Sequence, residues 1–169
     1  MKIAQLETRR ADRSDAGNIA LAHRDSIRSI GPAFYPSNVV EDWGEGLIAD
    51  LYLQAMDAGE VFFIATGTID GERLVLGFAS DYLIDGVKHG TSAYVRGNAA
   101  RCGIGSQLLG LAEAHAVANG AAEIHVEASL AGVEFYRANG FVEMGRGETR
   151  LTSGRPIACV FMRKGLVAP

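Results

Sequence analysis

The sequence predicts a mixed α/β domain with a mostly antiparallel central sheet of about seven strands, flanked by about four helices. Apolar residues recur at helical spacing near the start of the chain, and short apolar runs separated by Asp-Gly turns follow in the middle. Beyond residue 100, helical and extended patterns alternate, which is typical of a mixed layer arrangement. The 169 residues fit one domain, so we assign residues 1–169 to it.

The first predicted elements are a short strand and two helical segments. Residues 3–8 form the strand, and Ser14 and Asp15 supply N-cap chemistry for a helix that runs to about Ile30. A second helical segment is predicted over residues 36–58, because apolar residues recur there every four positions, which is a helical spacing. These apolar residues are Trp43, Leu47, Leu51 and Ala55.

The middle of the chain predicts three strands in an antiparallel meander. The apolar run 61–65 is followed by the turn signal Asp70-Gly71 and a returning run at 74–79. Asp85-Gly86 then turns the chain into a strand over residues 87–95. The remaining elements are, in order, a helix that includes Ile104 to His115 and is ended by Asn119-Gly120, a strand at 124–128, a helix at 132–138 and strands at 141–151 and 157–163.

Composition and charge narrow the classes of function. A net charge of −4 and a pI near 5.5 argue against a general affinity for nucleic acid. Residues 1–7 are too polar for a signal peptide, and no run approaches the roughly 20 apolar residues that cross a bilayer. Cys102 and Cys159 form neither a disulfide framework nor a metal-ligand cluster. We therefore expect a cytoplasmic protein without membrane contact or metal.

The segment around Gly103 and Gly105 has the pattern of an anion-binding loop. A strand leads into this glycine-containing loop, which opens directly into an amphipathic helix. The free amides and the positive dipole end of such a helix bind anions, and glycine lets an anion approach the backbone. An NTPase loop is not supported because GxxxxGK[ST] is missing, and a dinucleotide fingerprint fails because Leu108 stands where its third glycine belongs. The pattern alone suits a pyrophosphate site, and it fits equally a helix N-terminus with two capping glycines and no ligand.

Three motifs occur together at compatible spacing. They are Tyr94-Val95, Gly103-Ile104-Gly105 and the segment Ser129–Phe141, which contains Phe135-Tyr136 and ends in Asn-Gly-Phe. With them the chain resembles the GNAT acetyltransferase superfamily from Ile3 to Lys164. The resemblance implies the GNAT fold and acetyl-CoA as cosubstrate. It also implies transfer of the acetyl group to a primary amine of a small molecule or peptide by direct attack in a ternary complex.

The resemblance also implies which residues bind the coenzyme. They are Tyr94, Val95, Arg101, Cys102, Gly103, Ile104, Gly105 and Ser106. A backbone N–H near Val95 would polarise the thioester carbonyl, where the strands of the family splay apart. Two positions depart from the family pattern. Ala100 stands where a Gln or Arg is usual, and Ala131 where an Asn is frequent.

Two residues are implied as catalytic groups. Tyr136 matches the general acid of the family, since a phenol can donate its proton to the departing thiolate. His89 stands where several family members carry a glutamate base, and Glu127 and His125 on the next strand are its rivals. The residues alone leave other roles open: Tyr136 as a core residue and His89 as a surface residue beside a turn.

The acceptor is expected between the N-terminal helices and the sheet, where His23, Tyr35 and Trp43 are candidate lining residues. The resemblance also allows a homodimer, because many relatives pair through sheet edges or helices. The alternative function is a non-catalytic acyl-CoA-binding sensor or regulatory module of the same fold. The changes at Ala100 and Ala131 keep that alternative open.

Overall fold

The computed structural model describes residues 2–167 and contains seven strands and five helices. The strands are β1 (Ala4–Arg10), β2 (Val61–Ile69), β3 (Glu72–Ile84), β4 (Lys88–Val95), β5 (Glu123–Ser129), β6 (Val142–Arg150) and β7 (Pro156–Gly165). The helices are α1 (Ala16–Ile30), α2 (Ser37–Glu45), α3 (Ala49–Asp57), α4 (Ile104–Ala118) and α5 (Val133–Ala138).

The strands form one sheet in the order β1-β2-β3-β4-β5-β7-β6. Every neighbouring pair is antiparallel except β4 and β5, which are parallel. The predicted mixed, mostly antiparallel sheet of seven strands is therefore confirmed. The two Asp-Gly turns of the meander also form as predicted, with left-handed φ angles at Asp70 and Asp85.

The start of α1 differs in detail from the prediction. Asp12, rather than Ser14, caps the first turn, because its carboxylate accepts the Ser14 amide at 2.9 Å. Asp15 completes a capping box by accepting the Asp12 amide at 2.9 Å, and it also receives the guanidinium of Arg9. The capped first turn, Arg13–Asp15, is a 3-10 turn that leads directly into α1 at Ala16.

The single helical segment predicted over residues 36–58 is divided into α2 and α3. Ile48 has an extended backbone, with φ −119° and ψ 161°, so the helical path ends before it. Gly46 lies against Thr152, and a Cβ at this glycine would come within 2.9 Å of the threonine side chain. The short connection therefore fits around the turn between β6 and β7, a tertiary contact that helical periodicity does not reveal.

Two layers of helices cover the sheet, and we name its faces by them. The first face packs α1 and α3 against β2–β4 around a core that includes Ile19, Tyr52 and Phe78. The second face packs α4 and α5 around Leu109, Tyr136 and other residues. Side chains alternate between these faces along each strand. Within residues 2–167, no helix combines the length and apolar character needed to span a bilayer.

Candidate active site

The central feature of the site is a gap between β4 and β5. These parallel strands pair only at His89 with Ile124 and at Gly90 with His125, and they separate beyond that point. The Arg96 amide donates to Leu76 of β3, so the even-numbered amides of β4 point toward β3. The amides of Ala93 and Val95 therefore point into the gap, because successive amides of a strand alternate in direction.

Tyr136 enters this gap from α5. Its hydroxyl accepts the Ala93 amide at 3.0 Å, while its ring is buried between Phe135 and Phe141. Burial raises the pKa of Tyr136 above its usual value of 10, and the hydrogen bond from Ala93 partly opposes that rise. The phenol is consequently neutral, and its proton remains available for donation.

The N-terminus of α4 presents amides without a side-chain cap. Gly103 precedes the helix with a left-handed φ of +79°, and within residues 2–167 no side chain caps the first turn. That turn holds no acidic residue, and a Cβ at Gly103 would meet no atom within 4 Å. The unpaired amides and the open space beside Gly103 fit an anion such as a pyrophosphate.

Gly105 is required for the packing of α4 against α5, rather than for the approach of an anion. A Cβ at this position would lie 2.9 Å from the ring of Phe135, so the glycine allows α4 to pack against α5. The Phe135 ring in turn contacts Tyr136, with ring centres 5.1 Å apart. The second glycine of the motif thus supports the position of Tyr136 through packing.

The other loop residues predicted to bind the coenzyme differ in exposure. Arg101, Cys102 and Ser106 are exposed, and Arg101 adopts a left-handed φ of 61°. Ile104 packs its side chain into the core, so it offers only its amide. The other cysteine, Cys159, lies on β7 and is buried.

Tyr94 and Val95 point to opposite faces of the sheet. The Tyr94 ring lies on the first face, with its centre 3.9 Å from that of His23, and Val95 packs in the core under α4. Neither the Tyr94 phenol, which lies on the first face, nor the Tyr94 amide, which points toward β3, is directed into the gap.

His89 lies at the closed end of the gap, because it forms one of the two residue pairs that join β4 to β5. Its Nδ1 is 2.7 Å from Oδ1 of Asp81, and Nδ1 of His115 is 2.7 Å from the other oxygen of the same carboxylate. Asp81 is almost fully buried, with 3% of its side chain exposed. A cavity of about 370 Å³ adjoins both imidazoles.

The rival bases on β5 lie on the first face. Glu127 is exposed and accepts the Thr149 hydroxyl at 2.8 Å. Nε2 of His125 is 2.9 Å from Glu123. Both side chains stand on the opposite side of the sheet from His89, because residues 89 and 124 share a face and residue 125 points the other way.

The predicted acceptor-lining residues form an aromatic cluster on the first face. Nδ1 of His23 is 2.8 Å from the Tyr52 hydroxyl, and Trp43 packs edge-on against His23 and Tyr94. The Tyr35 hydroxyl donates to the Ala158 carbonyl at 2.7 Å and accepts the Leu130 amide at 2.9 Å. Tyr35 therefore ties the segment after β5 to β7.

Sequence reasoning missed Asp81 and His115, which line the cavity beside His89, and Glu60, which lines another cavity on the first face. One signal was present for Asp81, since it is a carboxylate inside the apolar strand β3. Among residues 2–167, no group of three or more His, Cys, Asp or Glu side chains is arranged to hold a metal ion.

Comparison with solved structures reveals the same fold. An N-acetyltransferase related to GCN5 from Rhodopseudomonas palustris superimposes with a TM-score of 0.78 at 25% identity, covering 98% of this chain and 99% of its own. The PaiA N-acetyltransferase from Thermoplasma acidophilum, solved with coenzyme A, gives 0.73 at 20% identity, with coverages of 95% and 99%. A ribosomal-protein-alanine N-acetyltransferase from Brucella melitensis gives 0.66 at 24%, again covering 95% and 99%.

None of the curated protein sequences matches the chain. The family model described as an acetyltransferase (GNAT) domain matches residues 58–143, just over half of the chain. That range includes β2–β5, the glycine loop, α4 and α5, and thus the gap and the hydroxyl that enters it. The chain therefore belongs to the GNAT acetyltransferase family.

Proposed function

We propose that the protein transfers the acetyl group of acetyl-CoA to a primary amine by direct attack in a ternary complex. The observation that carries this proposal is the contact of the Tyr136 hydroxyl with the Ala93 amide in the gap between β4 and β5. Acetyl-CoA supplies the thioester, so the amine nitrogen attacks its carbonyl carbon, the carbon–sulfur bond breaks, and an amide and a free thiol result.

Coenzyme binding is assigned to the loop and the first turn of α4. The amides of Gly103, Ile104, Gly105 and Ser106 would hold the pyrophosphate, and exposed Arg101 would add a positive charge. The amide of Ala93 or Val95 would donate to the thioester carbonyl, because both point into the gap. Ala100 adds no polar side chain, so backbone amides would provide most of the binding.

Tyr136 is the proposed general acid. Its neutral phenol stands in the gap where the thiolate would depart, and it would give its proton to the sulfur. Since Ala93 already donates to this oxygen, the phenol proton is directed away from that amide. The contact supports a role at the reacting atoms rather than a purely apolar one.

His89 is the proposed general base. Asp81 accepts a hydrogen bond from Nδ1 when His89 is neutral, which leaves Nε2 free to take a proton. His89 and Ala93 are four residues apart on β4, about 13 Å, so the amine proton would reach the imidazole through a chain of several water molecules. Glu127, exposed on the first face, is the second candidate.

Calorimetry with CoA, and thiol release from acetyl-CoA over a panel of amines, test the proposal. We expect CoA to bind and at least one amine to release thiol in proportion to the amide formed. Binding without thiol release on any amine would favour the sensor function instead.

We also propose a cytoplasmic setting and a homodimer. Light scattering with size-exclusion chromatography tests the homodimer.

A further inference from the structure

A second cavity, of about 290 Å³, lies on the first face between α1, α3 and strands β2–β4. Its volume is close to the lower end of the roughly 300–1,000 Å³ that small-molecule sites occupy. Most of its wall is apolar and is formed by Leu51, Tyr52, Ala55, Phe62 and Phe78. A ring or a short branched chain fits such a wall better than a polar or extended molecule.

Three oxygen-bearing side chains line the remaining part of the cavity, namely Glu60, Tyr82 and Ser92. Ser80, which pairs with Ser92 across the two strands, donates its hydroxyl to Oε1 of Glu60 at 2.6 Å. Glu60 forms no ion pair with another described residue. A carboxylate and two hydroxyls match the three N–H donors of an alkylammonium group.

The polar part of the cavity adjoins the gap between β4 and β5. Ser92 lines the cavity, and the next residue, Ala93, is the one whose amide bonds the Tyr136 hydroxyl. A ligand nitrogen beside Ser92 would therefore lie next to the strand position where the thioester carbonyl is proposed to bind. The apolar wall leads from this point toward α1 and α3.

The charges of the lining residues further restrict which chemical groups the ligand can carry. Among the residues that the structure describes, neither a lysine nor an arginine lines the cavity. His23, whose imidazole forms part of the wall, is neutral, because burial lowers its pKa to about 3. Its Nε2 has no hydrogen-bond partner within residues 2–167. A carboxylate or phosphate on the ligand would therefore meet Glu60 and no compensating cation.

We propose that this cavity binds the acceptor, and that the acceptor is a small primary amine with an apolar body and no anionic group. The inference rests on the proposed acetyltransferase function and narrows its substrate class to small molecules. Glu60 recognises the ammonium form, and the aromatic wall of Tyr52, Phe62 and Phe78 holds the apolar body.

Matched amines test this class. Thiol release from acetyl-CoA is measured with 2-phenylethylamine, with phenylalanine, which adds a carboxylate to the same body, and with a tetrapeptide. We expect kcat/KM for 2-phenylethylamine to exceed that for phenylalanine at least tenfold, because the carboxylate has no partner. Equal or faster acetylation of phenylalanine or the peptide would overturn the proposal.

Two pairs of variants locate the binding site. Glu60→Gln should raise the KM for 2-phenylethylamine about tenfold or more through loss of a charged hydrogen bond, while Glu72→Gln, at an exposed site, should not. Ala55→Leu should fill the cavity and weaken amine binding, while Ala58→Leu at the exposed end of α3 should not. Equal effects of a variant and its control would place the amine elsewhere.

Calorimetry of the amine alone separates this inference from the proposed function. Binding of 2-phenylethylamine that is lost in Ala55→Leu, with no acetylation of any amine, would support the ligand class and remove the transfer reaction. Acetylation of other amines, without binding or acetylation of 2-phenylethylamine, would leave the reaction in place and overturn the ligand class.

Discussion

The hydroxyl of Tyr136 accepts the amide of Ala93 at 3.0 Å, and thereby joins α5 to the strand edge that β5 leaves open. Such an amide would be an unpaired donor without this contact, since β4 and β5 no longer pair there. A ligand carbonyl that accepted a hydrogen bond from the Ala93 amide would replace the Tyr136 hydroxyl as its partner. The phenol would then be free to turn toward the ligand.

Tyr136→Phe tests the role of this hydroxyl. We expect kcat to fall by about 10²–10⁴-fold, the usual range for a general acid, with the Kd for CoA changed little. Stopped-flow or steady-state thiol release gives kcat, and calorimetry gives the Kd. The variant should lose some stability as well, because the Ala93 amide loses its partner. Unchanged kcat together with a lower melting temperature would limit Tyr136 to a structural role.

The two glycines of the loop should respond differently to substitution. Gly103→Ala places a Cβ residue at φ +79°, which costs about 1–2 kcal/mol in the left-handed region, so the loop should shift and the Kd for CoA should rise. Gly105→Ala should lower stability by about 1–3 kcal/mol through contact with Phe135, and Phe135→Leu should restore part of it.

Gly110→Ala is the matched control for both substitutions. Gly110 lies within α4, and a Cβ there meets nothing within 4 Å, so alanine should stabilise the helix by about 0.5–1 kcal/mol and leave CoA binding unchanged. Urea denaturation and calorimetry measure the two properties separately. A similar loss of CoA affinity in all three variants would contradict the distinct roles assigned to Gly103 and Gly105.

The sequence determined much of the fold in advance, because its strongest signals are local. Asp70-Gly71 and Asp85-Gly86 define two turns, and the apolar stripe of α4 defines its buried side. The division between α2 and α3 was missed, since it depends on the contact of Gly46 with Thr152, more than one hundred residues away. Contacts of that kind leave no periodicity in the chain.

The candidate site was predictable only in part for the same reason. The glycine loop and Tyr136 lie in contiguous motifs, whereas the cluster of Asp81, His89 and His115 joins two strands and a helix. The second cavity likewise combines α1, α3 and three strands. Its charge selectivity becomes visible only when Glu60 and the neutral His23 are seen in the same wall.

Asp81→Asn tests the proposed base through its partner. Asparagine has one acceptor and one donor, so it cannot accept from both His89 and His115 as the carboxylate does. We expect kcat to fall at least tenfold, and a double variant with His89→Gln should fall no further than His89→Gln alone, since the two residues act as a unit.

His115→Gln is the control for that series, because it removes the other contact of Asp81 and leaves the one to His89. We expect its kcat to remain within about threefold of the unmodified protein, a difference below 1 kcal/mol in activation free energy. If all of these variants lose stability without losing kcat, the cluster is structural, and Glu127→Gln becomes the variant that should lose activity.

The neutral state of His23 predicts how stability depends on pH. Burial lowers its pKa from 6.5 to about 3, so between these values the unfolded chain binds a proton that the folded chain excludes. The contribution of His23 to the free energy of unfolding is therefore present above pH 6.5, and it is lost as the pH falls toward 3. Between pH 7 and pH 5 the loss should be about 2 kcal/mol, at 1.36 kcal/mol per pH unit below 6.5.

His23→Gln isolates this contribution, because glutamine can keep a hydrogen bond to Tyr52 and does not titrate. Urea denaturation at pH 7, 6 and 5 gives the free energy of unfolding of both proteins. The variant should be less stable at pH 7 and should lose about 2 kcal/mol less on acidification, so the two curves approach each other. Parallel curves would mean that His23 binds a proton equally well in the folded and unfolded chains, and the neutral wall assigned to the second cavity would then be wrong.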